Sequence, residues 1–204
     1  MPSLSERYRW LDDALDIDWS VAVINGRTLD EVVATYGGDV SKPLGPMDYA
    51  SAKTWRNQHF DDGGIICVRQ LPGAVLVIEP NGWASSIAEI ARRQSANGGH
   101  FFSVYWSPSA FQVLAANDGT VSALFDPVYL EPADDQPRSG EVYPAWLTGS
   151  EFLDDRHIRS TCITLLEEHT GVQIERTWLG EPHATYSIPD PDDLLRGIAD
   201  VRLP

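Results

Sequence analysis

Apolar residues alternate with polar ones, or run continuously, in six short segments whose spacing predicts β-strands. These segments are residues 19–23, 65–71, 74–79, 101–107, 111–116 and 120–125, and residues 173–179 are a further candidate. The segments 65–71 and 74–79 are almost continuously apolar. This pattern predicts that both are buried on two faces or lie at the centre of the sheet.

The residues between these segments predict how the strands are connected. Pro72 and Gly73 separate two apolar runs and predict a tight hairpin. Asn117, Asp118 and Gly119 separate two others, and all three residue types tolerate a positive φ. Connections this short predict antiparallel pairing.

Helical spacing of apolar residues, capping residues and, for residues 47–58, the content of Ala, Lys and Arg predict six helices. Their approximate extents are residues 5–15, 28–36, 47–58, 86–97, 155–169 and 192–199. Two of the helix starts carry the capping-box pattern, Thr28 with Glu31 and Ser86 with Glu89.

Helices interleaved with hairpins are typical of the α+β class. We therefore predict a mainly antiparallel sheet of five to six strands with helices packed on it. One domain over residues 1–204 is predicted, with a core at about 8–130 and a C-terminal loop and helical extension at 131–204. Residues 127–144 are rich in Pro, Asp and Gly and are predicted to form a long surface loop.

The composition bears on where the protein works. The first residues contain no apolar signal-peptide core, and no stretch approaches the roughly 20 apolar residues of a membrane helix. We therefore expect a cytoplasmic protein without a membrane partner. In that compartment Cys67 and Cys162 are expected to be buried free thiols and not a disulfide.

The charge balance is strongly acidic, since 30 acidic residues against 15 basic ones give a formal net charge of −15 at pH 7. This charge opposes contact with a phosphate backbone, so a nucleic-acid partner is not expected. The acidic residues form small clusters, such as Asp61 with Asp62. Such clusters either only solubilise the surface or match a basic partner.

Glu79 ends a predicted strand just before a predicted helix, and Asp126 follows another strand. In a structural role, Glu79 would brace the strand-to-helix turn through backbone N–H groups, with Asn81 and Gly82 as turn residues. In a functional role, Glu79 and Asp126 would be paired carboxylates at one edge of the sheet, suited to acid–base work or to a divalent ion. The sequence leaves both roles open.

Motifs for other kinds of chemistry are missing. The five histidines lack zinc-site spacing, and the chain contains no phosphate-binding loop, dinucleotide fingerprint or nucleophile elbow. Cys67 has no flanking charge that would lower its pKa. We therefore predict no metal and no cofactor, and we favour binding over catalysis.

Seven tryptophans are many for 204 residues. Trp19, Trp83 and Trp106 lie on or beside predicted strands and favour the core, whereas other aromatic residues lie in more polar surroundings and are typical of interface anchors. The stretch with Tyr143, Trp146, Leu147, Phe152 and Leu153 is predicted to be an exposed apolar patch. The candidate binding residues are Glu79, Asn81, Trp83, Trp106, Asp126, Tyr143 and Trp146.

The segments Glu79-Pro80-Asn81-Gly82-Trp83 and Phe125-Asp126-Pro127 also carry a resemblance. With them, residues 8–130 resemble an uncharacterised bacterial family of small soluble proteins that has no assigned function. The resemblance implies a shared fold and no activity.

Three functional hypotheses follow from these observations. The first is a non-catalytic acidic module that binds a basic protein and neutralises or regulates it, as immunity proteins and antitoxins do. The alternative is a small-molecule-binding protein or hydrolase with a carboxylate pocket around Glu79 and Asp126. A third is a subunit that assembles with copies of itself.

Overall fold

Eight strands form one sheet in the computed structural model, which describes residues 4–14, 19–130, 137–147, 152 and 155–196. The strands are β1 (Trp19–Asn25), β2 (Gly45–Met47), β3 (Gly64–Leu71), β4 (Ala74–Pro80), β5 (His100–Trp106), β6 (Phe111–Asn117), β7 (Thr120–Phe125) and β8 (His183–Ile188). Their order across the sheet is β2-β8-β3-β4-β1-β5-β6-β7, and every neighbouring pair is antiparallel. The predicted α+β class is confirmed, but the predicted number of five to six strands is wrong.

Helices cover both faces of the sheet. They are α1 (Leu4–Arg7), α2 (Trp10–Ala14), α3 (Leu29–Thr35), α4 (Tyr49–Gln58), α5 (Ala88–Ser95), α6 (Ile158–Thr170) and α7 (Pro191–Arg196). Tyr8, which follows α1, and the buried residues of α2, α4 and α6 join one hydrophobic cluster. The buried residues of α3 and α5 join a second cluster on the other face, against which the half-buried Leu194 and Leu195 of α7 pack. This two-sided cover explains why β3 and β4 carry almost continuous apolar runs.

The two strands missing from the sequence prediction are β2 and β8. Residues 173–179, the further candidate strand, contain a 3₁₀ turn at Arg176–Leu179 instead. The strand follows at His183–Ile188 and lies between β2 and β3, with Gly64 opposite Ile188. A segment predicted as an extension therefore supplies an interior strand of the sheet.

Both predicted turns are confirmed. Gly73 has φ +77° in the hairpin between β3 and β4. Asp118 and Gly119 have φ +46° and +76° in the hairpin between β6 and β7. In the β6–β7 hairpin, positive φ at both central residues is the geometry that fits the twist of a two-residue hairpin.

The two predicted capping boxes have different outcomes. Thr28 and Glu31 form the reciprocal hydrogen bonds of a capping box at the start of α3. The box predicted for Ser86 and Glu89 is wrong, because Ser86 belongs to a preceding 3₁₀ turn and α5 begins at Ala88. The Ser86 hydroxyl donates to the Trp83 carbonyl oxygen at 2.7 Å instead.

The two cysteines are buried and unpaired, as predicted. Burial raises the pKa of the Cys67 thiol to about 11 and also raises the pKa of Cys162. Within the described ranges, no helix is long and apolar enough to cross a membrane.

Candidate functional site

One edge of the sheet collects the ends of three strands. β1 lies between β4 and β5, and β6 lies between β5 and β7, so β4, β5 and β7 run in the same direction. The residues that follow these three strands therefore lie along the same edge. This is the edge at which the sequence predicted a pocket.

A groove runs along this edge, and we call it the carboxyl-end groove. It consists of two adjoining cavities of about 430 and 110 Å³, which share Pro108 and Ser109 in their walls. The larger cavity is lined by Arg56, Asn57, Phe60, Asn81, Gly82, Trp83, Tyr105, Ser107, Pro108, Ser109 and Asp190. The smaller cavity extends the groove to Asp126, Val128 and Tyr129.

Glu79 lies beneath this groove, where only 1% of it is exposed. Its Oε1 accepts hydrogen bonds from the Ser20 hydroxyl at 2.8 Å, from the Ser85 amide at 2.7 Å and from the Ser85 hydroxyl. Its Oε2 accepts from the Ala84 amide at 2.8 Å. Burial raises the pKa of Glu79, while these hydrogen bonds act in the opposite direction. Glu79 therefore braces the strand-to-helix turn. This is the structural role that the sequence analysis gave as one of two.

The turn above Glu79 fits closely over it. Asn81 has φ +51°, and its Nδ2 donates to the Asn57 Oδ1 at 2.6 Å. A Cβ atom at Gly82 would lie only 2.8 Å from the Glu79 Cβ, so the turn requires glycine at this position. Trp83 is half-buried beside it and presents part of its ring to the groove.

Asp126 lies at the same edge but far from Glu79, because three strands separate β4 from β7. At a spacing of about 4.8 Å between neighbouring strands, β4 and β7 are about 19 Å apart, too far for the two carboxylates to share a proton or an ion. Asp126 accepts from the Val128 amide at 2.9 Å and the Phe111 amide at 3.4 Å, and partial burial raises its pKa. The structure does not bring Glu79 and Asp126 together as a catalytic pair. Within the described part of the chain, no group of three or more His, Cys, Asp or Glu side chains has the arrangement of a metal site.

Trp106, Tyr143 and Trp146 do not line the groove. Trp106 is fully buried, with its ring edge-to-face on Trp19 at 4.3 Å between centroids. Tyr143 and Trp146 are half-buried against Phe125, with ring centroids 6.4 and 6.1 Å away.

The exposed patch predicted around these residues does not form as predicted. Phe152 is only 6% exposed and packs on Phe125 with 6.0 Å between ring centroids. Leu147 also packs against the core, and Leu153 lies outside the described residues. Aromatic contacts with Phe125 cover this stretch.

The groove also contains residues that the sequence did not single out, of which Phe60 is the most prominent. Phe60 is 67% exposed, and the Arg56 guanidinium carbon lies 4.5 Å from its ring centroid. Arg56 is only 6% exposed, and its Nη1 donates to the Phe60 carbonyl oxygen at 2.8 Å. A buried arginine thus holds an exposed aromatic ring in place at one end of the groove.

Asp190 lines this end of the groove. We call it the acidic corner together with the two aspartates that follow Phe60 and the two that follow Asp190 along the chain, namely Asp61, Asp62, Asp192 and Asp193. The backbone of Gly63 packs closely on that of the 188–190 segment, since a Cβ at Gly63 would lie 2.4 Å from the Ile188 oxygen and 3.2 Å from the Asp190 nitrogen. The pairing of β3 with β8 thus joins two acidic segments that are distant in sequence. No local sequence signal predicts this meeting.

No protein-family model matches the chain, and neither a curated protein nor a solved structure shows significant similarity to it. The resemblance noted for residues 8–130 therefore stays a prediction.

Proposed function

We propose that this protein is a non-catalytic binding module that recognises a basic protein through the carboxyl-end groove and the acidic corner. The observation that carries this proposal is an exposed Phe60, held by Arg56 and bordered by aspartates. Neutralisation or regulation of that partner is the role we assign to binding. A cytoplasmic location and the absence of a nucleic-acid partner remain predictions within this proposal.

Phe60 has the properties of an interface anchor. Aromatic residues dominate the binding energy of many interfaces when they are placed in a fixed orientation before the partner arrives. The Arg56 guanidinium supports one face of the Phe60 ring, and most of the side chain is exposed. Phe60 can therefore contact a partner without losing much conformational freedom.

The charge around Phe60 favours a basic partner. Asp61 and Asp62 are exposed and follow Phe60 directly, and Asp190 lines the same cavity as Phe60. Asp193 is paired with Arg196 at 2.5 Å, whereas Asp61 and Asp62 have no basic partner within the described ranges. A Lys or Arg side chain that approaches Phe60 would meet carboxylates on two sides, and the net charge of −15 would accelerate the encounter.

The polar groups near the groove support binding more than catalysis. Glu79 is covered by the turn above it, and both oxygens of Asp126 accept backbone amides. Both thiols are buried, and their raised pKa values disfavour the reactive thiolate.

A crosslinking experiment identifies the partner directly. A photoreactive benzoylphenylalanine at position 60 should yield one discrete crosslinked product in the source cell, and the same group at exposed position 30 should not. The captured protein, once purified, should be basic. A product of equal yield from both positions, or an acidic captured protein, would contradict the proposal.

Titration of the purified partner then tests the site. We expect Phe60→Ala to weaken binding by roughly 10- to 30-fold, because it removes an anchor. We expect Asp61→Asn/Asp62→Asn to weaken it by about tenfold at low salt, chiefly through a slower association rate.

The matched control is Asp30→Asn/Glu175→Gln, which removes the same two charges at exposed positions outside the groove. This variant should bind within about twofold of the wild type. Equal effects of the two double variants would mean that only total charge matters and that the acidic corner is not the binding site.

A further inference from the structure

A second cleft lies at the opposite edge of the sheet. It has a volume of about 670 Å³ and lies between the ends of β1 and β6, the starts of β5 and β7, the end of α6 and residues 144–146. We call it the histidine cleft and define it by Asn25, His100, Asn117, Ser122, Trp146 and His169. No residue that lines this cleft also lines the carboxyl-end groove among the described residues.

Among the residues that the structure describes, the wall of the cleft has no charged side chain at neutral pH. The described lining contains no Lys, Arg, Asp or Glu. Burial lowers the pKa of both His100 and His169, and the neighbouring His169 lowers that of His100 further. The neutral form of both imidazoles therefore predominates at pH 7, and in this form each ring offers one donor and one acceptor.

Side chains in the cleft are partly linked to one another. His100 Nδ1 donates to the Asn25 Oδ1 at 3.4 Å, and Asn25 Nδ2 donates to the Thr170 carbonyl oxygen at 3.4 Å. Asn117 Nδ2 donates to the Ser122 hydroxyl at 2.8 Å. These bonds fix the orientations of both carboxamides.

Other polar atoms in the cleft retain hydrogen-bonding capacity. Nε2 of His100, both ring nitrogens of His169 and Oδ1 of Asn117 bond to no protein group within the described ranges. The cleft thus presents hydrogen-bond donors and acceptors together. This suits a ligand whose groups can both donate and accept hydrogen bonds.

An aromatic stack forms one wall of the cleft. The His169 ring lies parallel to buried Phe102, 5.3 Å away at an interplanar angle of 11°. Trp146 lies 4.5 Å from the His169 ring centroid and also lines the cleft. The stack orients His169 and adds an apolar surface beside the polar atoms.

We propose that the histidine cleft binds a small, uncharged, hydroxyl-rich ring, either a free sugar or the ribose of a nucleoside. Hydroxyl groups donate and accept as imidazoles and carboxamides do, and the C–H face of such a ring packs on an aromatic wall. An anion would find no Lys or Arg in the described part of the lining and would be repelled by a net charge of −15. A cation would find no carboxylate among the same described residues, and an apolar ligand would leave the polar atoms unpaired.

Nuclear magnetic resonance on the full chain tests this proposal with defined probes. The probes are D-glucose, D-ribose and uridine, and the readouts are the His100, His169 and Trp146 ring signals at pH 7.5. At least one probe should give saturable shifts of these signals. Saturation by a free sugar identifies a sugar site, and saturation by uridine alone identifies a nucleoside site.

Asn117→Ala should weaken the saturable binding by tenfold or more, since Asn117 presents a carboxamide to the cleft. Gln58→Ala, an exposed amide on α4, is the matched control and should leave it unchanged. The proposal is overturned if no hydroxyl-bearing probe saturates, or if both variants bind alike. It is also overturned if phosphate or acetate binds instead and moves the histidine signals towards the protonated form.

Discussion

At the scale of single residues, Glu79 shows how a buried carboxylate can stabilise a turn. Four hydrogen bonds from Ser20, Ala84 and Ser85 converge on its two oxygens. Removing a partner from a buried polar group costs more than the average hydrogen bond contributes, because the remaining group is left unpaired. The segment 79–86 therefore depends on a carboxylate at this position.

Glu79→Gln tests this dependence. Each carboxylate oxygen accepts a backbone amide, so either orientation of the glutamine side chain would point an NH₂ group at a backbone N–H. We expect the free energy of unfolding to fall by about 1–3 kcal/mol at pH 7. Urea denaturation of both proteins measures this change.

The pH dependence of the same variant shows whether burial or hydrogen bonding has the larger effect on the pKa of Glu79. Burial raises its pKa above the ordinary value of 4.5, so the folded state holds the proton more tightly than the unfolded chain. The contribution of this tighter proton binding to the free energy of unfolding is complete below pH 4.5 and is lost as the pH rises through the pKa of Glu79 in the folded state. The difference in free energy of unfolding between the wild type and Glu79→Gln should therefore decrease as the pH rises from 4.5. An increase in this difference would mean that the four hydrogen bonds affect the pKa of Glu79 more than burial does.

At the scale of elements, the junction of β3 with β8 depends on one glycine. Gly63 has φ +105°, and a Cβ there would lie 2.4 Å from the Ile188 carbonyl oxygen. Gly45 has the same φ but has no atom within 4 Å of a built Cβ. The two positions share the same φ, and a Cβ atom collides with the backbone only at Gly63.

This pair gives a controlled prediction. Gly45→Ala should lower the free energy of unfolding by about 1–2 kcal/mol, the cost of an unfavourable φ. Gly63→Ala should cost at least about 2 kcal/mol more, because a backbone oxygen cannot move aside without disturbing the strand pairing. Thermal and urea denaturation of the two variants measure the difference, and equal losses would mean that β8 can shift freely against β3.

The same junction shows how far the sequence predicts the elements. Six strands, both hairpin turns and the Thr28 capping box have local signals, namely alternation, turn residues and side-chain spacing. β8 also alternates, with polar residues at 183, 185 and 187 and apolar residues at 184, 186 and 188, but the sequence prediction overlooked it. Its pairing with β3 has no local signal, because β3 precedes it by more than a hundred residues. Ser86 and Glu89 have the spacing of a capping box, but Ser86 belongs to the preceding 3₁₀ turn and does not cap α5.

The candidate site divides in a similar way. The shared direction of β5 and β7 follows from the two hairpins that β6 forms with them, so one end of the groove could be predicted. The direction of β4 depends on β1 lying between β4 and β5, which no hairpin indicates. Phe60 and Asp190 reach that groove only through the β3–β8 pairing, and the histidine cleft requires α6 to be placed beside β5. Such long-range placements are decided by packing and not by local pattern.

At the scale of the whole molecule, helices on both faces enclose the sheet and shield both thiols. Cys67 lies on the interior strand β3, and Cys162 lies on the inner face of α6. We expect a thiol reagent at pH 7.5 to modify both at least about 100-fold more slowly in the native protein than in denaturant, since reaction requires opening of the structure. Single-cysteine variants separate the two rates. Rapid modification of one thiol in the native protein would show that its element opens independently of the rest.

The position of β8 also affects the order in which the protein can be completed on the ribosome. Strands β3, β4, β1, β5, β6 and β7 all precede residue 126, whereas the outer neighbour of β3 is residues 183–188. Until those residues leave the exit tunnel, the apolar β3 is an unprotected edge to which other nascent chains can add. The last third of the chain thus covers the open edge of the sheet that the rest forms. Stalled or truncated translation products would be the forms most prone to aggregate.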